Sequence, residues 1–160
     1  MRGHGEILLV STYELGHQPL NLASPLAYLA RAGYQPVAAD TAVEELADEA
    51  IARARLVAIS VPMHTALRLG VAVAARVRAV NRAAHVCCYG LYAALNADYL
   101  LDGRADSVIG GEYEQPLLDL AARLEAGDGA PESVGTRERR AAPHLARLPF
   151  AVPAREALPP

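Results

Sequence analysis

Ser107-Val108-Ile109-Gly110-Gly111-Glu112-Tyr113-Glu114 decides how this chain is read. A short apolar run ends in two glycines. It then becomes a helix, Pro116-Leu117-Leu118-Asp119-Leu120-Ala121-Ala122-Arg123-Leu124, with acidic residues in its first turn. This is a strand handing over to a helix. Glycines at such a junction let backbone N–H groups come close to a ligand, near the positive end of the helix dipole.

Working outward, the same handover recurs along the chain. Short apolar runs predict strands at Glu6–Ser11, Tyr34–Ala39, Leu56–Val61, His85–Tyr89 and Ser107–Ile109. Helical spacing predicts helices over Leu22–Ala32, Val43–Arg53, Thr65–Asn81, Leu91–Leu101 and Tyr113–Glu125. Gly33 serves as a C-terminal stop, Thr41 as a cap for the second helix, and Pro36 suits an edge strand. Strict alternation with near-continuous apolar strands means a parallel sheet covered by helices on both faces. Five units with an edge strand second predict an α/β, flavodoxin-like (Rossmann-like) sheet of order 2-1-3-4-5. Ligands of such sheets bind beyond the carboxyl ends of the strands.

Composition narrows the function. The 160 residues fit one domain, residues 1–126, and a Pro/Arg-rich tail or linker, residues 127–160. A net charge of −3 gives no electrostatic case for nucleic acid or an anionic membrane. Cys87 and Cys88 are adjacent in a strand and point to opposite faces, so they read as core residues rather than a bridge or a metal pair. No signal-peptide pattern opens the chain and no apolar run is long enough to span a bilayer, so the expected location is cytoplasmic. In the tail, Leu145, Leu148, Phe150 and Val152 are candidates for local docking on an otherwise solvated extension.

Four loops converge on one end of such a sheet. The first carries Thr12, Tyr13, Glu14, Leu15, Gly16 and His17; the third, Ser60, Val61, Pro62 and His64. The fourth carries Tyr89, Gly90, Leu91 and Tyr92; the fifth, Gly110, Gly111 and Glu112. Hydroxyls, glycines and aromatics suit a large flat ligand held by backbone contacts and stacking. The chain has no lysine, no G-x-G-x-x-G and no Walker motif, so a dinucleotide or nucleoside triphosphate site has no support.

This arrangement resembles the cobalamin-binding domain of methionine synthase, of the mutases and of cobalamin-dependent radical SAM enzymes, over roughly residues 6–126. Ser60-Val61-Pro62 stands for the family's S-x-L, with proline for leucine, and Tyr89-Gly90 for its fourth-strand glycine pair, with tyrosine for the first glycine. Glu14-Leu15-Gly16-His17-Gln18-Pro19 lacks the aspartate and downstream glycine of the D-x-H-x-x-G motif. Loss of that motif, a G-E-x-E turn matched by Gly111-Glu112-Tyr113-Glu114, and a proline-rich connector resemble the radical SAM branch.

The resemblance implies a cobalamin cofactor and a radical SAM domain in the same or a partner chain. S-adenosylmethionine and a 4Fe-4S cluster would sit only on that other domain, whose C-x-x-x-C-x-x-C motif these residues lack. The chain is then a binding module cut from a larger enzyme for methyl transfer or related radical chemistry, and catalyses nothing alone. Ser60 is expected to hydrogen-bond the buried dimethylbenzimidazole tail. His17 is either the lower cobalt ligand, oriented by Glu14, or a loop histidine lining the pocket. The alternative function is a cofactor-free flavodoxin- or receiver-like regulatory module, although a receiver needs an aspartate where Ser60 stands. A flavin module would need a compact phosphate cradle in the first loop, and a Ser60 hydrolase would need a G-x-S-x-G elbow; neither is present.

Overall fold

Apolar runs with no polar alternation must be buried on both faces, and each becomes a strand of one sheet. A computed structural model of the chain describes residues 1–127 and 151–159. The strands β1 (Ile7–Ser11), β2 (Val37–Asp40), β3 (Leu56–Ser60), β4 (His85–Tyr89) and β5 (Ser107–Ile109) are all parallel, in the order 2-1-3-4-5. The helices are α1 (Leu20–Arg31), α2 (Asp48–Arg53), α3 (His64–Val80), α4 (Leu91–Leu95), α5 (Ala97–Leu101) and α6 (Glu114–Ala126). The expected flavodoxin-like fold is the fold observed.

Period-two alternation splits each strand between two cores. Ile7, Leu9, Leu56, Ala58 and Cys87 pack with Leu22, Leu26, Leu117 and Leu120 under α1 and α6. Leu8, Val10, Val57, Ile59 and Cys88 pack with Ile51, Leu67, Val77 and Leu100 under α2 to α5. The two cysteines are free, buried and on opposite faces, as their adjacency predicts. Gly33, with φ +85°, follows the end of α1, and Pro36 precedes the edge strand β2.

Two helices differ from expectation. The second begins at Asp48, not Val43, because Asp40 captures the preceding amides. Its carboxylate accepts from the Ala42 N–H at 3.1 Å and its carbonyl from the Val43 and Glu44 N–H groups, while Glu44 reaches back to the Asp40 N–H at 2.9 Å. Thr41 caps nothing; its hydroxyl donates to the Ser11 carbonyl. The fourth helix is split at Asn96, whose side-chain amide donates to the Tyr92 carbonyl at 2.8 Å and competes with the helical ladder there.

The described end of the tail returns to the domain. The Ala154 N–H donates to the Ala23 carbonyl at 3.0 Å, and Leu158 is buried in the α1 core. Val152, expected to dock, is 87% exposed. Leu145, Leu148 and Phe150 lie outside the described residues. Among the described residues no helix is long and apolar enough to cross a membrane.

Candidate functional site

The carboxyl end of the sheet is set by register. Asp40 pairs with Ser11, and Ser60 with Tyr89, which pairs in turn with Ile109. Four residues in the loops above this row have left-handed φ: Leu15 (+53°), Gly16 (+77°), Gly90 (+109°) and Gly111 (+67°). At Gly90 the reason is a close approach, since a Cβ there would lie 3.1 Å from the Val61 carbonyl oxygen. Leu15 is not a glycine, and it holds this conformation while 64% exposed.

A cavity of about 400 Å³ lies at this end, lined by Glu14, Leu15, His17, Gln18, Leu20, Met63 and Arg155. It joins the first loop, the β3–α3 loop and the returning C-terminal segment. Gln18 fixes that segment through its side-chain amide, which donates to the Arg155 carbonyl at 2.8 Å and the Pro159 carbonyl at 3.2 Å. A larger cavity, about 550 Å³, lies at the amino ends of the strands. Several of its polar groups are already spent on the fold: Arg78 pairs with Asp106 at 2.6 Å, and the Asn81 amide donates to the Ile51, Ala52 and Ala54 carbonyls.

The predicted site residues fall into two sets. Exposed or half-buried at the loop end are Tyr13, Glu14, Leu15, Gly16, His17, Pro62, His64, Leu91, Tyr92, Gly111 and Glu112. His64 opens α3 and meets the Tyr92 ring edge-on at 6.2 Å. Thr12, Ser60, Val61, Tyr89, Gly90 and Gly110 are buried instead. The Thr12 hydroxyl is spent on the Ala66 carbonyl at 3.3 Å. Ser60 Oγ is buried beside the Tyr89 side chain and makes no hydrogen bond of good geometry.

Asn21, which the sequence reading passed over, is the hub beneath the loops. Its carbonyl accepts from the Tyr89 hydroxyl at 2.6 Å, and its side-chain oxygen from the Tyr113 hydroxyl at 2.7 Å. The Tyr89 and Tyr113 rings are 4.9 Å apart, and burial pushes both hydroxyls' pKa values up. The Asn21 amide donates to Glu14 at 3.1 Å. Burial raises the Glu14 carboxyl above its ordinary value; the Asn21 bond opposes this, Asp40 adds to it and nearby His17 opposes it. The carboxylate expected to orient His17 is therefore taken by Asn21. A pattern that pointed to the hub was readable: asparagine at 21 with proline at 25, a helical carbonyl without its donor.

Among the described residues no group of three His, Cys, Asp or Glu side chains converges to hold a metal ion. No protein-family model matches the chain, and no curated protein matches it.

Proposed function

We propose that this chain is a cobalamin-binding module that works against a radical SAM domain in the same or a partner chain. The observation that carries the reading is the cavity at the carboxyl end of the sheet, lined by the first loop, Leu20, Met63 and Arg155. That is where a sheet of this order takes its ligands. The motif resemblance at Ser60-Val61-Pro62, Tyr89-Gly90 and Gly111-Glu112-Tyr113-Glu114 adds the ligand's identity.

The lining offers a corrin ring backbone and apolar contacts, with the first loop opening to admit it. Leu15-Gly16 and Gly111 offer exposed backbone, and His17 and Met63 line the cavity together with Glu14, whose carboxylate accepts from the Asn21 amide. A bound corrin would supply a cobalt centre that carries a methyl group or assists radical chemistry started on the partner domain. The chain's own task is to hold and orient the ring and keep one face covered. Leu15, Leu20 and Leu91 are exposed on the first loop and the helix starts of this same end, apolar surface suited to a second domain closing over the ring.

Mixing the purified chain with hydroxocobalamin and separating by gel filtration tests the reading. Corrin absorbance co-eluting with protein is expected. Protein free of corrin overturns it and favours the cofactor-free regulatory module. His17→Ala is expected to leave the bound spectrum unchanged, because Glu14, the carboxylate expected to orient that imidazole, accepts from Asn21; a changed spectrum makes His17 the lower ligand.

A further inference from the structure

We infer that the module selects corrinoids by the ring alone and leaves the lower nucleotide outside the domain, a proposal that rests on the cobalamin reading above. The resemblance reserves Ser60 for the nucleotide base. Ser60 shares a sheet face with Leu56 and Ala58, so a base can reach it only between the sheet and α1 with α6.

That space is full. Tyr89, the register partner of Ser60, points to the same face and is 0% exposed. Its ring packs on Tyr113, and both hydroxyls end on Asn21. The plug is also anchored. Asn21 would ordinarily give its carbonyl to the amide four residues on, but that residue is Pro25, inside α1, which has no N–H. Swinging Tyr89 out would strand that carbonyl. Farther along the slot, Ser24 donates to Glu114 at 2.7 Å and Tyr28 to Gln115 at 2.6 Å, tying α1 to α6. Ser60 Oγ lies behind this plug, out of solvent and beside the Tyr89 side chain. Serine at 60 is then a small neighbour that leaves room for the tyrosine ring.

The test compares hydroxocobalamin with diaquocobinamide, the same ring without the nucleotide, by absorbance titration and gel filtration of the full chain. Dissociation constants within about threefold of each other are expected. Ser60→Ala and Tyr89→Phe, which keep the plug's shape, should leave that ratio near one. Tyr89→Ala opens the slot and should create a preference for the complete cofactor. Cobalamin held tenfold or more tighter than cobinamide, with Ser60→Ala abolishing the preference, overturns the inference while leaving the module's function intact. Retention of neither compound overturns both.

Discussion

The Tyr89 hydroxyl, 2.6 Å from the Asn21 carbonyl, does the work of a helical amide that Pro25 cannot supply. One side chain on a strand end thereby completes the first turns of α1 and fixes the helix over the sheet. A part-buried carbonyl deprived of such a donor costs about 1–3 kcal/mol. Tyr89→Phe should therefore lower stability by about that much in urea denaturation. In a Pro25→Ala background the new amide can take over, and the same substitution should cost less. Equal costs in both backgrounds would break the link.

Glu14 gives a pH signature. Its folded carboxyl titrates above the ordinary value of 4.5, chiefly because burial penalises the charged form. Between those two values the native state holds more protons than the unfolded one, so stability falls as pH rises through that window. Glu14→Gln keeps an acceptor for Asn21 and has no such charge. The variant's melting temperature should gain on the parent as pH rises from 4.5 and then hold constant; a gain on acidification instead would contradict this.

The two thiols should be silent. Burial pushes Cys87 up to about 12 and Cys88 higher still, so neither forms thiolate near neutrality. An aromatic disulfide reagent at mildly alkaline pH should find no reactive thiol in the native chain and both after denaturation. A native thiol reacting within minutes would show that the sheet opens.

Gly90→Ala should destabilise the fold by about 2 kcal/mol or more, through a φ that glycine alone adopts readily and a methyl driven at the Val61 carbonyl. Gly111→Ala meets no atom within 4 Å and bears only the cost of its φ, so it should be the milder change. Thermal denaturation of the pair ranks them.

The sheet was readable because each strand is an apolar run with nothing polar to expose, and β4 and β5 match their expected ends residue for residue. The shortened α2 and the broken fourth helix were not, because Asp40 and Asn96 compete for backbone groups through side-chain geometry that periodicity ignores. The site was readable as a set of loops but not as a set of surfaces. Nothing in the letters says that Tyr89 turns inward to Asn21 while His17 stays outside. Nor does composition show that Ala154 and Leu158 return to α1.

The 3.1 Å approach at Gly90 also decides which side of the pocket can yield. Main-chain hydrogen bonds flank it, Val61 N–H to the Tyr89 carbonyl and Tyr92 N–H to the Val61 carbonyl, so the exits of β3 and β4 move as one piece. The first loop is moored to its surroundings by side chains: Thr12 on Ala66, Glu14 on Asn21, Gln18 on the C-terminal segment. On the proposed function, a guest too large for the resting cavity would be accommodated from the side of the first loop. Its tilt would then be dictated by the unyielding wall before the loop settles around it.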